Sequence, residues 1–216
     1  MADRQRPRDA ATLILVRREA SAAPRILMGQ RHGTHAFMPN KYVFPGGRLD
    51  AGDSRVKPSR DLDGAVLSKL MQRMRSKPSP VRARAFAIAA LRETFEETGL
   101  LFGRRNFESA PDLSALVYFA RAITPPGRTR RFDSRFFVAD AAHVGNLDRP
   151  LHVGSGELLT PAWFSLDETL ALDLPSITKD ILRRLRPFLD EGLLPDPGCP
   201  VSFQYYRGQK WVEETI

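Results

Sequence analysis

Apolar residues run unbroken through Leu13–Val16 and are flanked by residues that alternate, so residues 11–17 read as a buried strand. Ser21–Pro24 has turn composition, and Arg25–Arg31 reads as the hairpin partner of that strand. A loop rich in Gly, Pro and Asn (32–41) leads to a short strand over 42–44, which Pro45-Gly46-Gly47 is expected to stop. Residues 54–80 carry Pro58, Pro78 and Pro80 and read as an irregular, partly helical segment. From Val81 to Thr98 the apolar spacing is helical, and Gly99 stands where a left-handed cap closes such a helix. Residues 116–123, 134–139 and 158–164 read as further strands. Residues 165–172 and 176–189 read as helices, the first opened by a serine cap and an acidic first turn. A proline-bearing tail from Glu191 ends in a strand-like 201–206. Strands and helices interleave without regular alternation, which predicts a mixed sheet with helices on both faces rather than a doubly wound one.

On the helix 81–98, a step of roughly 100° per residue puts Ile88, Leu91 and Phe95 on one side, the expected core stripe. Glu93, Glu96 and Glu97 fall together on nearly the opposite side. Three carboxylates at these spacings repel one another, and they sit in the last turns, where the helix dipole disfavours negative charge. A solvated acidic face is one reading. A bound divalent cation with hard oxygen ligands, Mg²⁺ or Mn²⁺, is the other, and it removes both penalties.

Arg92-Glu93-Thr94-Phe95-Glu96-Glu97-Thr98-Gly99-Leu100 resembles the second half of the Nudix box, and Gly47-Arg48-Leu49-Asp50-Ala51-Gly52-Asp53 resembles the first half, with Asp53 where the family has glutamate. The family places seven residues between that acid and the arginine, whereas here residues 54–91 intervene, and Thr94 replaces an aliphatic residue. The resemblance implies a Nudix-type α/β/α sandwich around a mixed sheet, with a basic insertion before the catalytic helix. It implies that Glu96 and Glu97 are core metal ligands, Glu93 a third ligand or the base, the Gly47 carbonyl a further ligand, and Arg92 an orienting partner. Glu157 stands where many members place a downstream acid, although as a loop residue it reads first as a surface glutamate. Residues 27–47 resemble the segment upstream of the box in coenzyme A diphosphatases of this family: Arg31 and Phe44-Pro45-Gly46-Gly47 match, while Ala36 and Asn40 depart from the pattern. The implied activity is hydrolysis of a diphosphate linkage in coenzyme A or acyl-CoA. ADP-ribose, NADH and capped RNA are the alternative substrates, and a non-catalytic nucleotide- or RNA-binding module is the alternative class.

Charge sharpens part of this picture. The chain of 216 residues has a formal net charge of +8, and residues 54–84 hold nine bases against two acids. This segment reads as a solvated surface, or as a basic lid that attracts an anionic substrate, with a homodimer interface as the competing role. Arg128, Arg130, Arg131 and Arg135 surround Phe132, a grouping suited to phosphate binding by Arg131 and base stacking by Phe132, or else to a basic hairpin tip. The four histidines are scattered, and Trp163 and Trp211 read as packing residues. One cysteine excludes an internal disulfide and fits a reducing, cytoplasmic setting. No apolar run approaches a membrane span, and the N-terminal apolar segment is too short for a signal peptide. A single domain over 1–216 is expected, with 54–80 inserted and 191–216 as an extension, and its partner is a small nucleotide-derived substrate.

Overall fold

A computed structural model describes residues 5–19, 22–34, 37–75, 77–103, 109–152 and 156–216. His35, Ala36 and Ser21 therefore lie outside the described residues. The long strands β1 (Arg8–Glu19) and β2 (Ala22–Arg31) pair antiparallel at one end and diverge at the other. Two short strands, β3 (Tyr42–Val43) and β4 (Gly46–Arg48), fill the gap, β3 on β2 and β4 on β1. The strand over 42–44 does stop before Pro45, as expected, but a new short strand starts at once. Gly46 and Gly47 pair with Thr12 and Ala11, because β1 offers a free edge that a side-chain-free backbone can approach closely.

On its other edge β1 runs parallel to β6 (Phe132–Asp140), which pairs antiparallel with β5 (Val117–Ile123). The tail adds β8 (Ser202–Arg207), parallel to β5, and β9 (Lys210–Thr215) on the outer edge of β8. The strand β7 (Leu158–Ser165) pairs with β2 on the opposite flank. Only the polar, alternating β9 was not foreseen in the tail.

Alternation along β1 divides the core. Ala11, Leu13 and Leu15 face one helical layer, and Ile14 and Val16 face the other. The first layer holds α1 (Gly64–Met71) and α2 (Pro80–Thr98). The second holds α3 (Leu166–Ala171) and α4 (Ser176–Asp190), whose Ile181, Leu182, Leu185 and Leu189 are buried. The result is the expected α/β/α sandwich around a mixed sheet. Among the described residues no helix is long and apolar enough to cross a membrane.

The segment between the two halves of the box is no loose lid. Leu62, Val66 and Leu70 are buried in the core of the first layer. Six of its nine bases have partners in the fold: Arg60 pairs with Asp112, Arg73 with Glu214, Arg82 with Asp9 and Arg84 with Asp61. Lys69 donates to the Pro197 and Cys199 carbonyls, and Arg75 to that of Pro7.

Candidate active site

Helix α2 begins at Ser79, whose hydroxyl accepts from the Arg82 N–H, with Pro80 at the first helical position. It ends at Gly99, whose φ of 74° allows its N–H to reach the Phe95 carbonyl at 2.8 Å. The face against the sheet is made of Ala83, Ala87, Ala90, Thr94 and Thr98, all with no exposed surface, joined by Phe86. Small side chains bring the helix close to β1, and the Thr94 and Thr98 hydroxyls satisfy themselves on the Ala90 and Thr94 carbonyls. The expected stripe is thus displaced. Ile88 and Leu91 are buried, but Phe95 is only half-buried, and the three line an open cavity of about 490 Å³ beside Arg92.

This rotation changes the carboxylates. They do not share one solvated face: Glu97 is buried, Glu93 half-buried and Glu96 exposed. Glu97 accepts a hydrogen bond from the Gly46 N–H at 2.9 Å. Glu93 lies directly on Gly47, where a Cβ would overlap its carboxylate. The short strand β4 therefore needs glycine at 47 to let the carboxylate in.

Arg92 gathers the other acids. Its Nε donates to Asp53 at 2.9 Å, and its two terminal nitrogens reach Glu93 at 2.9 Å, Glu96 at 3.1 Å and the Arg48 carbonyl at 2.9 Å. Asp53 is buried and also accepts from the Asp50 N–H at 2.7 Å. The two halves of the box thus meet at Arg92, despite the long intervening segment. Burial works against the Arg92 charge, yet its hydrogen bond to Asp53 and the fields of Glu93 and Asp53 hold its pKa above the ordinary value.

Electrostatics mark the inner carboxylates. Burial pushes the Glu97 carboxyl up to about 8. The Gly46 N–H opposes this, Glu93 adds to it, Arg31 opposes it and Glu157 adds to it. Burial raises Glu93 as well; Arg92 opposes that rise, and Glu96 and Glu157 reinforce it. Glu157 is exposed, yet it lines the same cavity of about 280 Å³ as Glu93, Glu96, Gly47 and Arg31. Its reading as a bystander on the surface misses this placement, which arises because β7 pairs with β2 beside Arg31.

Among the described residues, no three acidic, histidine or cysteine side chains converge as a ready-made metal cage. The reason lies in their present partners: Arg92 occupies Glu93 and Glu96, and Gly46 occupies Glu97. The donor chemistry nevertheless fits a hard divalent cation. Glu93 and Glu97, whose proton affinities are raised chiefly by burial and partly by neighbouring carboxylates, are groups that such an ion stabilises in the charged form. Of the substrate-binding candidates, Arg31 and Phe132 line the cavity. Arg131 is turned to the Thr124 and Gln5 carbonyls, and Arg130 takes the place at the cavity expected of it.

The architecture and this helix together define a class, the Nudix hydrolase fold. The relatives fall in it too. No protein-family model matches the chain. "Putative nudix hydrolase 7" of Caenorhabditis elegans is 31% identical over 157 residues, covering 61% of this chain and 43% of that protein, so the chain spans less than half of the relative. A NUDIX hydrolase from Alicyclobacillus acidocaldarius superposes with a TM-score of 0.63 at 26% identity, covering 82% of this chain and 90% of that one. The NUDIX domain of Shewanella oneidensis NrtR, solved with ADP ribose, superposes with a TM-score of 0.53 at 11% identity over 85% of this chain and 88% of its own, a likeness of fold alone. These likenesses show that the chain has the Nudix hydrolase fold.

Proposed function

We propose that the protein is a divalent-metal-dependent hydrolase that cleaves the diphosphate linkage of a nucleoside diphosphate derivative. The observation that carries this reading is the half-buried Glu93, held against Gly47 on the wall of a cavity that Arg31 and Glu157 also line, together with the buried Glu97 bonded to the Gly46 N–H. Glu96, Glu97 and Glu93, with the Gly47 carbonyl, would hold Mg²⁺ or Mn²⁺. When bound, the ion neutralises charge on the diphosphate and makes an attacking water more acidic.

The chain's own residues supply the rest. Arg31 binds a phosphate oxygen at the inner end of the cavity. Arg92 is a positioning residue: it fixes the second half of the box against Asp53 and keeps Glu93 and Glu96 turned to the cavity. A carboxylate of the cluster, with Glu93 as the candidate, takes the proton of the water as its oxygen bonds to phosphorus. The bond from phosphorus to the bridging oxygen breaks, and the second phosphate leaves with its electron pair. Positioning and electrostatics carry most of such a reaction. Coenzyme A is the first substrate to assay, on the match of Arg31 and Phe44–Gly47 to the upstream pattern of coenzyme A diphosphatases; ADP-ribose, NADH and capped RNA complete the panel.

The test is a screen of that panel with Mg²⁺ or Mn²⁺, on wild type and Glu97→Gln. Turnover of at least one diphosphate, abolished by EDTA and lowered about 100-fold or more in the variant at unchanged melting temperature, is the expected result. Activity that persists in EDTA or in Glu97→Gln would overturn the mechanism. A protein that binds nucleotides but hydrolyses none of the panel would be a binding module.

A further inference from the structure

The cavity at the carboxylates continues. Thr12, Arg31, Phe37 and Ser134 line both it and a second cavity of about 170 Å³. The second cavity is walled by Phe44, Ile123, Phe136, Ile177 and Trp211, with Arg128 at its rim. Phe37 stands between the two, its ring 4.9 Å from that of Phe132 in an edge contact. Phe132 lines the first cavity, and the second offers an aromatic of its own. Trp211, expected from the sequence to be a packing residue, lies on the edge strand β9. It is 55% exposed, supported by an edge contact with Tyr206 at 5.3 Å. A large aromatic left half in water at the mouth of an apolar cavity is unspent binding surface.

We propose that this second cavity seats the base of a purine nucleotide against Trp211, with the phosphates running past Arg31 to the carboxylates. The inference rests on the functional reading above and adds to it which end of the substrate is anchored. The aromatic walls, Phe44, Phe136 and Trp211, suit the flat face of a bicyclic base. Stacking requires only a π-face, so affinity comes chiefly from the ring and adenine and guanine are both accommodated. Arg128 at the rim faces the anionic side of the nucleotide.

The chain has two tryptophans, so fluorescence isolates the wall. Adenosine 5′-monophosphate is titrated without added metal, exciting at 295 nm, into wild type, Trp163→Phe, Trp211→Phe and Trp211→Ala. Ribose 5-phosphate, which lacks the base, is the control ligand. Quenching in wild type and in Trp163→Phe, its loss in Trp211→Phe, and a Kd about tenfold weaker in Trp211→Ala by calorimetry are expected. Trp211→Phe keeps a π-face and should retain most of the affinity. Ribose 5-phosphate binding as well as the nucleotide, or an unchanged Kd in Trp211→Ala, would overturn the proposal, as would no nucleotide binding by wild type. None of these readouts depends on hydrolysis. Loss of the diphosphatase reading alone leaves the titration intact, and loss of the Trp211 contact alone leaves turnover intact with KM unchanged in Trp211→Ala.

Discussion

Two adjacent glycines serve the site in different ways, and substitution separates them. A Cβ at Gly46 would lie 2.5 Å from the Ala11 carbonyl oxygen and 2.7 Å from the Thr12 Cα, backbone atoms of a central strand that cannot yield. Gly46→Ala is expected to destabilise the fold by a few kcal/mol, on the order of other steric insertions into packed cores, and a chemical denaturation curve measures it. At Gly47 the obstacle is the Glu93 carboxylate, the end of a side chain that can swing away. Gly47→Ala should keep most of the stability and lose activity through a displaced Glu93. Equal losses of stability in the two variants would contradict this division. The sequence announced both glycines as a loop signal. It did not announce why, because glycine's value here is a close approach by residues far along the chain.

A third residue-scale expectation concerns acid. The hydrogen bond from Arg84 holds the Asp61 carboxyl below its ordinary range. A depressed carboxylate stabilises the fold above its unfolded pKa and loses that contribution as pH falls through the folded value. Both side chains are partly exposed, so the pair is worth about 0.2–1 kcal/mol. Arg84→Ala should therefore lower the melting temperature slightly near neutrality, and the difference from wild type should shrink as the pH is taken below about 3.8, the ordinary Asp61 value. A difference that grows on acidification would refute the assignment.

At the scale of elements, helix α2 was legible in extent and at its C-terminal cap, since Gly99 is a local signal, whereas Pro80, read with the irregular segment, is its first residue. Its rotation was not legible. Period alone chose Ile88, Leu91 and Phe95 as the core, whereas the sheet takes the side of small residues, and bulk goes where there is room. The same limit applies to β4 and β9. Gly46–Arg48 has no strand propensity and exists as a strand because β1 offers partners, and Lys210–Thr215 carries the alternation of an exposed edge.

The segment 54–80 is irregular and partly helical, as its sequence suggested, but charge composition does not reveal what each charge faces. With Arg73 on Glu214 and Arg75 on the Pro7 carbonyl, joint reversal of Arg73, Arg75 and Lys77 to Glu should cost stability first, with any rise in KM following from that. Reversal of the exposed Lys57, by contrast, should leave the melting temperature within about 2 °C. A charge-reversed triple variant of full stability and raised KM would restore the view of this segment as a basic lid.

For the whole molecule, the layer arrangement could be foreseen from the interleaved strands and helices, and the meeting of Asp53 with Arg92 could be foreseen only through the resemblance of the two half-motifs. What the sequence could not supply is the third dimension of the cleft. Residues from β2, β4, α2, β6 and the β9 hairpin line it, and no local pattern records that they converge.

The parallel pairing of β1 with β6 sets a clock on the folding of this chain. Leu13 lies beside Phe137, more than a hundred residues further on, so the central contact of the sheet becomes available long after β1 itself. At ordinary rates of translation, about 5–20 residues per second, β1 waits on the order of ten seconds for that partner while the chain emerges. During that time β2 and β4 cover only one edge of β1, and its edge towards β6 stays open. Non-local pairing of this kind slows folding and leaves apolar strands open to one another. Refolding from denaturant should accordingly be slow for a domain of this size, and its yield should fall as protein concentration rises. The nascent chain halted before residue 132 should be digested readily at β1, and the chain halted after β6 has left the ribosome should resist.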